Sequence, residues 1–246
     1  MMPEPEAVFD PHVIFEPNAG RCPQEHYALA RAAGSVVPGP FGGAQMVTKE
    51  TVEYALQNPA IFSSSMEAVD LGQTVALIPL QIDPPEHVKY RRLLDPIFAP
   101  KKMNLLEEDI TAMVNELIDQ VIEEGSCEFT SAISVPLPSQ VFLRLLDLPA
   151  SELDMFLAMK DGILHPEGED FEEMKVGMMA ASAQIESYFY AALADRKAQP
   201  RDDLLSSFLA AEFDGVRLSD EEIVGICFLF IIASTSWDAD SVPKPK

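Results

Sequence analysis

The chain is poor in cysteine, in basic residues and in long hydrophobic runs, and each shortage excludes a class of protein. Its three cysteines, Cys22, Cys127 and Cys227, form no C-x-x-C pair, which argues against a zinc site or a disulfide framework. Lysine and arginine number 17 against 40 acidic residues, a net charge of −23, which argues against nucleic acid as a partner. The apolar run from Ile223 to Ala233 is too short to span a membrane and is typical of a buried helix.

The remaining composition predicts a globular protein of the cytoplasm. With 246 residues, of which 48% are hydrophobic, the chain can form one large domain or two small ones with a sizeable core. The acidic start Met-Met-Pro-Glu-Pro-Glu lacks the apolar segment of a signal peptide. We therefore expect a reducing cytoplasm, with Cys127 and Cys227 as buried thiols.

Apolar periodicity and helix-capping residues predict a mainly helical fold with a small β-sheet. A hairpin is expected over 36–37 and 44–48, a strand-like segment over 127–129, and a long connection over 60–82. Ser219 with Glu222 forms a capping box, and Asp202-Asp203 is explained as a helix cap. Helices are predicted over 22–33, 49–57, 84–94, 100–123, 136–147, 151–164, 170–198, 202–212 and 219–233.

The segment 83–92, Asp-Pro-Pro-Glu-His-Val-Lys-Tyr-Arg-Arg, carries the clearest functional signal. Asp83 is expected to cap a helix that starts at Pro84, with Glu86 reaching back to complete a capping box. His87 and Arg91 are four residues apart, so they share one face of that helix and can both donate to carboxylates or phosphates. A solvated helix start with ordinary surface charges remains the alternative.

This segment resembles the C helix of soluble bacterial cytochromes P450, where a histidine and an arginine at this spacing grip the haem propionates. The order of elements over roughly residues 5–233 is also similar to the N-terminal part of that fold, through the start of its I helix. The resemblance implies haem as the cofactor and oxygen-dependent oxidation of a lipophilic small molecule. It also implies that His87 and Arg91 bind the haem propionates.

Further residues take roles from the same resemblance. It implies that Val75 and Leu80, and Leu229 and Ile232 on the last helix, line the substrate pocket; ordinary core packing is the alternative for each. It also implies that an acidic ferredoxin docks on the basic face formed by Lys89, Arg92, Lys101 and Lys102; chance clustering is the alternative there. The acidic run 167–173 beside His165 lacks ordered ligand spacing, so no metal site is predicted.

The sequence departs from the family pattern in its last part. No cysteine lies in the family's Phe-x-x-Gly-x-x-x-Cys loop, no Glu-x-x-Arg pair occurs, and no Gly-x-Asp/Glu-Thr follows Ala233. We therefore divide the chain into 1–233, the N-terminal portion of a P450 domain, and a divergent polar tail, 234–246. The pattern is that of a truncated, frame-shifted or alternative end, and the chain alone is expected to be catalytically incompetent. A non-catalytic helical module that binds a hydrophobic ligand or partner is the alternative function.

Overall fold

The structure, a computed structural model, describes residues 9–11, 23–39, 43–65, 72–168 and 171–233. The predicted tail 234–246 lies outside these residues. The chain divides into two compact units, one ending at Ser63 and the other beginning at Ser64. The boundary falls within the long connection predicted over 60–82.

Within its described residues, the first unit contains two α-helices and one β-hairpin, as predicted. Helix α1, Pro23–Ala33, is followed by β1, Val36–Pro38, which pairs antiparallel with β2, Ala44–Met46. Helix α2, Lys49–Gln57, begins after Thr48, whose hydroxyl accepts a hydrogen bond from the Thr51 amide at 3.4 Å. This side-chain cap explains why the helix starts at Lys49.

The second unit contains the other eight helices and a short hairpin within the described residues. The hairpin pairs β3, Glu212–Phe213, with β4, Val216–Arg217, and Gly215 in its turn has a positive φ of 80°. The helices are α3 Glu86–Leu94, α4 Pro100–Met103, α5 Glu107–Asp119, α6 Pro136–Leu145, α7 Leu153–Leu164, α8 Phe171–Ala198, α9 Leu204–Ala210 and α10 Asp220–Ala233. The predicted mainly helical class with a minor sheet is confirmed.

Helix α10 lies at the centre of the core. All residues from Ile223 to Phe228 are buried, and Cys227 is 0% exposed. Helix α8 packs Ile185, Phe189 and Leu193 into the same cluster at 0% exposure, spaced four residues apart along one face. Each such side chain contributes about 1.5–3 kcal/mol by its burial. The prediction that Cys227 is buried is confirmed, and its helix is apolar on all sides, as expected for a core helix.

A buried ion pair joins the end of α8 to the start of α9. The guanidinium of Arg196 donates to Asp203 Oδ2 at 2.5 Å, to Asp195 Oδ2 at 2.7 Å and to the Asp147 carbonyl at 3.0 Å. Asp203 Oδ1 accepts from the Ser206 amide at 2.7 Å, so the predicted helix cap at Asp203 is confirmed. Burial raises the pKa of Asp203, but hydrogen bonds from Arg196 and Ser206 outweigh it and hold the pKa below its usual value.

The helix predicted over 100–123 is interrupted. A 3₁₀ turn, Asn104–Leu106, separates α4 from α5, which ends at Asp119. The apolar positions Met103 and Leu106 are three residues apart, a spacing that a 3₁₀ turn satisfies as well as an α-helix does. Apolar spacing alone therefore could not locate the break.

The strand predicted over 127–129 is wrong, and so is the burial predicted for Cys127. Cys127 is exposed, and a π-helical turn, Thr130–Ser134, follows directly. The Glu128 carboxylate accepts the amides of Thr130 at 3.2 Å and Ser131 at 2.7 Å. This side-chain cap starts a helical turn where β-propensity had indicated a strand.

Among the described helices, none combines the length and apolar character needed to cross a membrane.

Candidate functional site

Helix α3 begins two residues later than its sequence predicts. It starts at Glu86, its cap position is Pro85, and no side chain caps it. Asp83 Oδ1 instead accepts the amide of Ser64 at 2.8 Å, while its carbonyl accepts the His87 amide at 3.1 Å. The predicted capping box at Asp83 is therefore wrong. The helix begins at Glu86, so Pro85 and not Asp83 occupies the cap position.

His87 and Arg91 lie on successive turns of α3, as their spacing predicts. His87 is half-buried, and the Arg91 side chain is 53% exposed. The Arg91 guanidinium lies 2.8 Å from Asp95 Oδ1, an ion pair between exposed groups one turn apart. Such a pair stabilises a helix by only about 0.3–0.5 kcal/mol, so another carboxylate can replace Asp95 at little cost.

Two other residues of α3, Tyr90 and Lys89, contact the carboxylate of Glu222 near the start of α10. Tyr90 is buried, and its hydroxyl donates to Glu222 Oε1 at 2.5 Å. The ammonium of Lys89 lies 3.8 Å from the same oxygen and 5.1 Å from the Tyr90 ring centroid. Burial raises the pKa of Glu222, but hydrogen bonds from Tyr90 and Ser219 and the Lys89 charge hold it below its usual value.

The predicted capping box at the start of α10 is confirmed. Glu222 Oε2 accepts the Ser219 amide at 2.6 Å, and the Ser219 hydroxyl accepts the Glu222 amide at 3.2 Å. The bond between Glu222 and Tyr90 was not predicted, because the two residues are 132 positions apart and no sequence pattern links them.

The segment 72–82 is held against two helices through backbone groups and through side chains buried in the core. The Thr74 amide and hydroxyl both donate to the Glu186 carboxylate of α8, each at 2.6 Å. The Leu77 amide donates to the buried Gln81 Oε1 at 2.8 Å. The carbonyl of Ala76 approaches Gly225 of α10 so closely that an added Cβ would lie only 2.0 Å from it.

The two residues of this segment that were predicted to line a pocket differ in their exposure to solvent. Val75 is 2% exposed and belongs to the hydrophobic core, whereas Leu80 is 57% exposed. On α10, Leu229 and Ile232 are partly buried, as is Phe230, whose ring lies 5.4 Å from that of Phe98. Of the four predicted pocket residues, Val75 is therefore enclosed in the core, whereas Leu80 is exposed and Leu229 and Ile232 are partly buried.

The four cations predicted to face a partner have different surroundings. Lys89 is 26% exposed and paired with Glu222. Arg92, Lys101 and Lys102 are exposed. Lys101 and Lys102 lie on the short helix α4 that follows α3 in the chain.

Known proteins resemble this chain in both sequence and structure, although no protein-family model matches it. It is 32% identical over 219 residues to the steroid C26-monooxygenase of Mycobacterium tuberculosis, covering 87% of this chain and 54% of that protein. It is 29% identical over 189 residues to cytochrome P450 109 of Bacillus spizizenii, covering 75% of this chain and 45% of that protein. CYP109E1 of Bacillus megaterium, solved in complex with testosterone, matches with a TM-score of 0.79 at 28% identity, covering 89% of this chain and 58% of that one. The chain spans about half the length of the relatives it matches.

Proposed function

We propose that this chain, which belongs to the cytochrome P450 family and corresponds in sequence and fold to its N-terminal portion, supplies the propionate-binding wall of a haem pocket. The observation that carries the proposal is the placement of His87 and Arg91 on successive turns of α3, with side chains that are not buried in the core. The whole protein would be an oxygen-dependent monooxygenase of lipophilic small molecules.

The residues on this side of the second unit fit a haem group. One imidazole and one guanidinium suit two carboxylates, because both can donate and arginine can do so bidentately. Partly buried apolar side chains join the segment after α3 to α10, where the Phe98 ring lies 5.4 Å from that of Phe230. A haem group needs this combination of charged donors at its edge and apolar contacts on its faces.

The positions of these residues suggest a separate role for each in binding haem or substrate. His87 and Arg91 would hold the propionates, with Arg91 exchanging Asp95 for a propionate oxygen. Leu229 and Ile232 would exclude water from the apolar side, and Leu80 would contact the substrate. Haem bound to a cysteine thiolate supplies the oxygen chemistry in this family.

The substrate class is supported by the exposed and partly buried apolar positions and by two relatives. One relative is named as a steroid monooxygenase, and another is solved with testosterone. We therefore propose a lipophilic molecule of similar character. The exposed cations Arg92, Lys101 and Lys102 support docking of an acidic ferredoxin-type redox partner.

The double variant His87→Ala/Arg91→Ala tests the haem assignment. We expect the affinity for haemin to fall about tenfold or more, because two charge-assisted hydrogen bonds are lost. Affinity is measured by titration of the Soret absorbance, with haemin dimethyl ester as a second ligand that lacks free carboxylates.

Two controls decide the outcome. Lys101→Ala/Lys102→Ala removes two exposed cations outside the proposed site and should leave haemin affinity unchanged. Wild type should prefer haemin over its dimethyl ester, and the double variant should lose that preference. Equal affinity of wild type and double variant for haemin would refute the assignment. Thermal stabilisation by lipophilic ligands without haemin would then favour the binding-module alternative.

For the 246-residue chain on its own, we propose that monooxygenase activity is absent. None of its cysteines lies in the family's thiolate loop, and burial raises the pKa of the Cys227 thiol in the core. After reduction in the presence of carbon monoxide, haemin-loaded protein should not give the thiolate-type Soret band. Appearance of that band would show that one of these cysteines ligates iron.

A further inference from the structure

We propose that Glu222 is a positioning residue that sets helix α3 against α10 and thereby places His87 and Arg91 for haem. This inference rests on the proposed function, but it concerns a contact that the motif in α3 does not contain. Glu222 itself would touch neither haem nor substrate.

The first step is that the Glu222 carboxylate is rigid with respect to its own helix. In the capping box with Ser219, Glu222 Oε2 accepts the Ser219 amide, and the Glu222 backbone amide donates to the Ser219 hydroxyl. The first bond holds the Glu222 side chain, which cannot change rotamer without breaking it. The other oxygen, Oε1, is therefore a fixed acceptor on α10.

The second step is that two consecutive residues of α3 converge on that oxygen. Tyr90 donates its hydroxyl at 2.5 Å, and Lys89 places its ammonium at 3.8 Å. Tyrosine has only two side-chain torsions, and Tyr90 is 8% exposed, so its ring transmits the position of Glu222 to the α3 backbone. The hydroxyl bond therefore fixes both the rotation of α3 and its position along α10.

The third step links this contact to the candidate haem ligands. Tyr90 lies three residues after His87 and directly before Arg91, so a rotation of α3 that breaks the Tyr90 bond also moves both donors. Leu229 and Ile232 lie on the same helix as Glu222. One carboxylate thus sets the geometry between the two donors and the apolar residues of α10.

Tyr90→Phe and Ser219→Ala form a matched pair of tests, because each removes one hydrogen bond of Glu222. Tyr90→Phe releases α3, whereas Ser219→Ala weakens only the cap of α10 and leaves Oε2 bonded to the residue 219 amide. We expect Tyr90→Phe to lower haemin affinity about two- to tenfold, the equivalent of one hydrogen bond, and to speed amide hydrogen exchange in α3. Ser219→Ala should lower the urea midpoint without either effect.

The outcomes separate this inference from the proposed function. Equal loss of haemin affinity in the two variants, or no change in Tyr90→Phe, would overturn the positioning role. If His87→Ala/Arg91→Ala leaves affinity unchanged, the haem assignment fails and the positioning role fails with it, whatever α3 exchange shows. A loss in Tyr90→Phe with intact binding in Ser219→Ala, together with sensitivity to the His87/Arg91 double change, supports both.

Discussion

Asp203→Ala is expected to lower the free energy of unfolding by about 3–5 kcal/mol, the usual cost of breaking a buried ion pair by removing one partner. The Asp203 side chain is 0% exposed and that of Arg196 is 4% exposed, so the variant leaves a largely buried guanidinium paired with the half-exposed Asp195. The variant also removes the cap of α9, which contributes about 1 kcal/mol. Urea unfolding followed by circular dichroism measures the change.

Asp195→Ala is the matched control, because Asp195 binds the same guanidinium from a half-exposed position. Its side chain is 46% exposed, so we expect a loss of at most about 1 kcal/mol. Asp203→Asn keeps an oxygen for the Ser206 amide and separates the cap from the charge. Equal losses for Asp203→Ala and Asp195→Ala would contradict the importance of burial.

The contribution of Asp203 also has a defined pH dependence. The pKa of Asp203 is lowered in the folded state. Its contribution to the free energy of unfolding is therefore fully present above the unfolded-state pKa and is lost as the pH falls through the folded-state pKa. The stability difference between wild type and Asp203→Asn should therefore shrink as the pH is lowered below 3.8, the ordinary value for this group.

Gly225→Ala is expected to destabilise the chain by about 1–3 kcal/mol and to displace the segment 72–82 from α10. The new Cβ would lie 2.0 Å from the Ala76 carbonyl oxygen and 3.2 Å from its carbon. Both are backbone atoms, so the clash cannot be relieved by a side-chain rotation. Urea unfolding reports the loss of stability, and hydrogen exchange over 72–82 reports the displacement.

Gly177→Ala provides the control within α8. The nearest atom to its added Cβ is the Glu167 carbonyl oxygen at 3.9 Å, an ordinary contact. Alanine should there stabilise the helix by about 0.5–1 kcal/mol through its higher helix propensity. If both glycine variants were stabilised, the close approach of Ala76 to α10 would be wrong.

The features that the sequence predicted correctly are local ones. The Ser219–Glu222 box and the Asp203 cap depend on side chains that bind amides three residues away, so spacing alone identifies them. The buried helix α10 is recognisable because its apolar character is continuous on every side. The position of His87 and Arg91 on one face of α3 follows from helical periodicity in the same way.

The features that the sequence could not supply depend on tertiary contacts or on competing local bonds. Thr74 and Glu186 are 112 positions apart, and no pattern in either segment indicates that they are in contact. The segment 72–82 is irregular, so it has no period from which the burial of Val75 and the exposure of Leu80 could be read. At Asp83 the residue types were right for a cap, but the helix begins at Glu86, so Asp83 lies outside the cap position.

The backbone anchoring of the segment 72–82 has a consequence for how this protein could diversify. Because Thr74, Ala76 and Leu77 are held through amide and carbonyl groups as well as side chains, the outward side chain at Leu80 is not needed to keep the segment in place. Selection, or a mutant library at position 80, can therefore vary this outward side chain while the segment stays in place.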